Sequence, residues 1–227
     1  MSEVIDVRQR KWMVLGIILV VLIIDQAVKF WVKTNMTIDQ RIYIFGLEWA
    51  QIRFVENPGM AFGMEFGGRT GKLILSLFRI FAVSFLGYYI LKMLKTPIKK
   101  GLLICFALIL AGAIGNIIDS TIYGKIFSSS NAVVTATFLP ENGGYDTWLH
   151  GKVVDMLYFP LINGHYPEWF PGKGGDPFLF FAAIFNVADT AISIGVFSIL
   201  LFHRSFFLKE EKEEVTNEDN PMTEEEE

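Results

Sequence analysis

A helical, multi-pass membrane protein is the fold class this sequence predicts, and three observations predict it. The 227-residue chain is 52% hydrophobic and 15% aromatic. It contains four apolar runs of the length a bilayer demands, about 20 residues of helix. Its lysines and arginines crowd at the N-terminus, in the link between the second and third runs, and after the fourth, an arrangement that puts all three places on the cytoplasmic side. The formal charge of −4 hides a basic body. Residues 209–227 hold ten of the 24 acids and two of the 20 basic residues, so the remainder carries +4, which suits contact with anionic lipid. No basic stripe or nucleic-acid reader motif is present, so nucleic acid is not an expected partner. The single cysteine, Cys105, excludes an intrachain disulfide and reads as a small core hydrophobe among Leu102, Leu103, Ile104 and Phe106.

The expected architecture is all-α, with four transmembrane helices, both ends cytoplasmic, a small extracytoplasmic β-hairpin and a long outer loop. The first span is residues 12–31. Arg8, Arg10 and Lys11 precede it, as in a signal peptide, but the run is too long and no small-residue cleavage site follows. Residues 41–55 are rich in Ile, Tyr, Phe, Trp and Val, and Gly46 supplies a turn, so a surface hairpin is expected there. The second and third spans are residues 73–94 and 101–118, joined by a link holding Lys95, Lys99 and Lys100. Residues 120–177 carry Gly, Pro and Asn clusters and read as surface loop. Tyr145, Trp148, Tyr158, Trp169 and Phe170 suit an interfacial belt. The fourth span is residues 178–202. One domain covers residues 1–208, and the acidic run at 209–227 has too little apolar content to fold.

Carboxylates stand where lipid disfavours them. Asp25, Asp119 and Asp189 lie in or at the end of apolar runs, where ionisation costs several kcal/mol or more. Counted from Lys11, Lys100 and Arg204, they sit roughly 21, 28 and 22 Å up their helices, so a shared site in the outer half is possible. Asn116 with Asp119, and Asn186 with Asp189, are three apart and share a helix face. Asp25 and Lys29 are four apart, the favourable order for an ion pair, with Lys29 snorkelling outward. Asp189 has no basic residue within a turn, so its partner must come from elsewhere. Asp155, outside the spans in Val153-Val154-Asp155-Met156-Leu157, reads from its neighbours either as a surface acid or as a site residue on a segment dipping toward the bilayer. Two carboxylates brought close share a proton, so that one can activate water while the other donates to a carbonyl oxygen. His150, His165 and His203 show no metal-ligand spacing, and no Gly-x-Ser-x-Gly appears. The same acids also fit a proton- or ion-coupled transporter, although the inner halves of the spans are nearly featureless, or a non-catalytic adaptor for which they would be dispensable.

Taken together, several motifs resemble the prolipoprotein signal peptidases (signal peptidase II), four-span bacterial aspartic endopeptidases. They are Asp25-Gln26-x-x-Lys29; Asn57-Pro58-Gly59-Met60-Ala61-Phe62-Gly63; Gly112-Ala113-Ile114-Gly115-Asn116-Ile117-Ile118-Asp119; Val153-Val154-Asp155-Met156; and Phe185-Asn186-Val187-Ala188-Asp189-Thr190-Ala191-Ile192. They occur in the family's order and run from the first helix to the last. The resemblance implies that Asp155 and Asp189 form the catalytic dyad. It implies that Asn57, Gly59, Asn116, Asp119 and Asn186 line or support the site, with Asp25 and Lys29 as the polar patch of the first helix. The implied substrate is a prolipoprotein whose cysteine already carries a diacylglyceryl group, cut just before that cysteine. A monomer working in membrane lipid at the extracytoplasmic face of the bacterial inner membrane is expected, with no metal or organic cofactor. The hairpin could hold the scissile stretch extended, with Gly59 and Gly63 allowing close approach. Two departures stand out. The family usually has Arg directly after the acid matching Asp119, whereas this chain has Ser120; Lys125 and Lys152 are the candidate replacements. The segments between Asp119 and Asp155, and between Asp155 and Asp189, are also longer than in compact members.

Overall fold

The structure is a computed structural model and describes residues 6–59 and 68–204. The acidic run at 209–227 and residues 60–63 of the second motif, including Gly63, lie outside the described residues. Among the described residues, three helices are long and apolar enough to cross a membrane: α1 (Val7–Asn35), α2 (Gly68–Met93) and α3 (Lys100–Ile118), the last continuing through a π-helical turn (Asp119–Tyr123) and a short α4 (Gly124–Ile126). At the start of α1, Asp6 accepts a hydrogen bond from the Gln9 amide at 3.0 Å, satisfying a donor that the helix end leaves open. Arg10 donates to the carbonyls of Thr96 and Ile98 at 2.8 and 3.0 Å, so two of the three basic clusters meet at one end of the bundle.

The fourth run departs from expectation. Its helix, α5 (Val187–Phe202), begins nine residues later than the start predicted at 178. Asn186 is the reason. Its side chain accepts from the Asp189 amide at 2.9 Å, and the Asp189 carboxylate accepts from the Asn186 amide at 3.3 Å, a reciprocal cap that fixes the helix start. The preceding residues, rich in phenylalanine, are extended instead.

The fold is also not all-α. A four-stranded antiparallel sheet runs in the order β1 (Arg41–Tyr43), β2 (Gln51–Asn57), β3 (Val153–Tyr158), β6 (Ile184–Phe185). The expected hairpin is its first half, with Gly46 at φ +73° in the turn. β4 (Ile162–His165) and β5 (Pro177–Phe180) form a separate antiparallel pair. Residues 120–177 thus contain structure where loop was expected, because Val153-Val154-Asp155-Met156-Leu157-Tyr158 is a buried central strand. Side chains alternate along it. Val154 and Met156 enter an apolar cluster with Val32, Met36, Phe54, Tyr123 and Phe127, while Asp155 takes the opposite face.

A second apolar cluster, including Val14, Leu103, Cys105, Leu110 and Ile199, packs the other end of the bundle. Between the two clusters α3 and α5 approach closely. A Cβ at Gly112 would lie 2.2 Å from the Ala188 carbonyl oxygen, and one at Gly195 would lie 2.7 Å from that of Cys105. Small residues allow such backbone contact, which is a main source of helix association in lipid.

Candidate active site

The polar residues gather between the two apolar clusters, in two neighbouring groups. The first is built on Lys29. Its ammonium lies 2.9 Å from Asp25 Oδ2, 2.9 Å from Asp119 Oδ2 and 3.0 Å from Asn116 Oδ1, and it is fully buried. The expected Asp25–Lys29 pair is present, but Lys29 does not snorkel: a second acid from α3 holds it inside. The remaining oxygens are also occupied. Asp25 Oδ1 accepts the Ala188 amide at 2.9 Å, in the first turn of α5. There an anion satisfies a free donor and meets the positive end of the helix dipole. Gln26 donates to Asp119 Oδ1 at 3.0 Å, and the Val154 amide donates to Asp119 Oδ2 at 3.1 Å. Gly115 has no side chain because a Cβ there would meet Asp25 Oδ2 at 2.7 Å.

The second group is Asp155 with Asp189. Asn186, at the start of α5 and fully buried, joins them. Its Nδ2 donates to Asp155 Oδ1 at 2.7 Å and to Asn116 Oδ1 at 3.0 Å, while its Oδ1 accepts the Asp189 amide. Asn116 Nδ2 donates to Asp189 Oδ1 at 2.7 Å. Asn57, at the end of β2, donates to Asp155 Oδ2 at 3.2 Å. The hydrogen bonds to both acids therefore come from amides. Asp155 is only 3% exposed, whereas Asp189 is half-buried. Burial first, and the neighbouring charge of Asp189 second, push the Asp155 carboxyl up to about 7; Asn57 and Asn186 pull against this. The result is one acid that keeps its proton near neutral pH beside another at the N-terminal turn of a helix, where negative charge is favoured. Asp25, Lys29, Asn57, Gly59, Asn116, Asp119, Asp155, Asn186 and Asp189 gather in or against these two groups.

Some contributors were not anticipated. Arg79 of α2 donates to the Gly59 carbonyl at 2.5 Å and to Ser120 Oγ at 3.4 Å. Neither Lys125 nor Lys152 takes that place. Lys125 is exposed, and Lys152 pairs with Glu56 at 3.0 Å. A lone arginine inside the apolar run at 73–94 was the available signal. Lys33, buried at the end of α1, pairs with Glu56 on β2 and lies 4.9 Å from the Tyr145 ring centre and 5.5 Å from that of Phe127. Burial pushes Glu56 up, but Lys33 and Lys152 outweigh it and hold the carboxyl below its usual value.

Comparison with known sequences decides the family. A family model described as signal peptidase (SPase) II matches residues 17–207. The chain belongs to the signal peptidase II family. It is thus an aspartic peptidase of a multi-pass membrane type. Lipoprotein signal peptidases resemble it over most of their length. The one from Porphyromonas gingivalis (strain W83) is 50% identical over 189 residues, covering 83% of this chain and 81% of the relative. The one from Amoebophilus asiaticus is 38% identical over 200 residues, covering 87% and 80%. A bacterial membrane enzyme solved by the in meso method shares the fold, with a TM-score of 0.51 at 22% identity over 95% of this chain and 94% of its own. Family membership sets aside the transporter and adaptor readings.

Proposed function

We propose that this signal peptidase II removes signal peptides from diacylglyceryl-modified prolipoproteins, cutting before the lipidated cysteine, with Asp155 and Asp189 as the water-activating pair. The observation that carries the reading is the shared amide framework of Asn186 and Asn116, which ties the two acids together without a contacting cation among the described residues. In the starting state Asp155 holds the proton and Asp189 is ionised. Asp189 takes a proton from water as its oxygen attacks the scissile carbonyl carbon, and Asp155 donates its proton to the carbonyl oxygen. Collapse of the tetrahedral intermediate breaks the C–N bond, with the proton on Asp189 passing to the leaving amine and a hydroxyl proton of the intermediate returning to Asp155. No metal or organic cofactor has a role in these steps.

The substrate meets the site from the bilayer. A helical segment hides its carbonyls in its own hydrogen bonds, so the scissile stretch must be extended, and the end of β2 at Val55 to Asn57, beyond its pairing with β1, suits that. Residues 1–208 act as one peptidase domain, as a monomer. The chain crosses the inner membrane four times with both ends cytoplasmic. The basic clusters support this orientation. α5 spans about 24 Å at 1.5 Å per residue, short of the usual core, so a thinned bilayer accommodates it.

The test is a purified-enzyme assay on a diacylated precursor and on its unlipidated twin. Cleavage of the lipidated form alone is expected. Asp155→Asn and Asp189→Asn should each abolish it while leaving folded protein in the membrane, and turnover by either variant would remove the dyad assignment. A cysteine at Asn142 should be labelled from outside; labelling only from the cytoplasm overturns the orientation.

A further inference from the structure

We infer that Arg79 is a positioning residue for the Asp155–Asp189 pair: it anchors the turn that holds Asp155 and supplies the positive charge that sets the pair's ionisation. The inference rests on the dyad reading above and adds a part to it. Arg79 is 13 residues before Lys92 on α2, or roughly 20 Å up the helix, the same depth as Asp25 above Lys11. An arginine at that depth in lipid is expensive unless it faces the protein interior. Arg79 does face inward. Its guanidinium lies against Gly59, whose amide donates to Asn57 Oδ1 at 2.8 Å, and Asn57 in turn donates to Asp155. The path from cation to acid is therefore three contacts long: guanidinium to carbonyl, amide to Asn57, Asn57 to carboxyl.

Gly59 is shaped for this. Its φ of +94° disfavours any side chain, and a Cβ there would sit 2.8 Å from Arg79 Nη1. Ser120 completes the seat, accepting from Arg79 and donating to the Asn116 carbonyl at 3.0 Å. Asn116 is the residue that donates to Asp189. Arg79 thus reaches both acids, each through one asparagine.

Of the other cations among the described residues, Lys29 from α1 also acts on Asp155, but two nearer acids, Asp25 and Asp119, share it. Lys152 and Lys33 are engaged by Glu56. Among the described residues Arg79 contacts carbonyl and hydroxyl oxygens and no carboxylate, so its charge stays available to the dyad. The position after Asp119 needs no arginine of its own because a side chain from α2 already occupies the space in front of Ser120.

The sign of the effect follows from this arrangement. A cation favours the monoanionic dyad over the neutral one and the dianion over the monoanion. Removing it raises both ionisations, so the pH–rate profile moves to higher pH. The experiment measures cleavage of the diacylated precursor against pH for the wild type, Arg79→Gln, Arg79→Lys and the pair Arg79→Gln/Ser120→Arg. Arg79→Gln is expected to lower kcat roughly tenfold or more with KM changed less, and to move the acid limb up by about 0.5 to 1 pH unit. Arg79→Lys should keep the limb in place with part of kcat. Ser120→Arg, entering the same space from α3, should bring the limb back. An Arg79→Gln profile with its limbs unmoved, whether activity falls or not, overturns the inference, because a merely structural role would change only the height. Should Arg79→Gln fail to fold, the pair decides: a wild-type limb supports the inference and a displaced one ends it. If the wild type cleaves, both Asp→Asn variants are dead and the limbs still do not move, Arg79 alone is misassigned; if an Asp→Asn variant turns over, the dyad itself is wrong.

Discussion

Asp25 and Asp119 face a lysine, whereas Asp155 and Asp189 receive their hydrogen bonds from amides. The two pairs are neighbours and share Asn116, but their four acids come from four different elements. The first is fully buried around a shared cation, and the second is open on one side with Asp155 raised toward neutrality. The first group serves as a tie between α1, α3 and α5. A carboxylate held by neutral donors can change protonation state, which acid–base chemistry requires. The same residue type thus meets a cation in one group and neutral donors in the other.

The sharpest way to break this contrast is Lys29→Met. It leaves Asp25 and Asp119 buried without their cation, and breaking a buried ion pair costs about 3–5 kcal/mol. Thermal unfolding in detergent should show the loss directly, and a stability close to wild type would show that the first group is not a tie. Next in size is the pH response of Asp155. Its carboxyl is raised in the folded state, so the stability it contributes is complete below about pH 4, the ordinary aspartate value, and is lost as pH rises toward about 7. Over that window Asp155 should cost the wild type about 2 to 4 kcal/mol. Asp155→Asn should remove that part of the slope, which paired melts at pH 4.5 and 7.5 would read; equal slopes in both proteins would place Asp155 in an ordinary environment. The smallest expected change is Gly115→Ala. Its Cβ would press on Asp25, and overpacking of this kind costs about 1–3 kcal/mol. The melting temperature should fall while the pH–rate profile of the remaining folded enzyme keeps its limbs, since the damage is confined to the first group.

Much of this site was legible from the chain. Asp25 and Lys29, Asn116 and Asp119, and Asn186 and Asp189 were each visible as pairs because helical spacing is a local property. Their depths were visible because basic clusters mark one end of each apolar run. Asp155 was not separable from a surface acid by spacing alone, because its place depends on β3 lying between β2 and β6, partners distant in sequence. The late start of α5 was hidden for a related reason. The apolar run from 178 fits a buried strand as well as a helix, and the decision rests on the reciprocal cap of Asn186 and Asp189. Arg79 was passed over inside an apolar run, and only the fold shows that it faces Gly59 and Ser120 and not lipid.

Asp25 is held by the amide of a residue 163 positions further along the chain, and the shortest hydrogen-bonded link between Asp155 and Asp189 runs through Asn186. A ribosome completes the first three membrane helices long before it delivers that asparagine. Through that interval the nascent polypeptide carries Asp25 and Asp119 without the amide that holds one of them and without the asparagine that bridges to Asp155, so both polar groups are completed only when α5 docks.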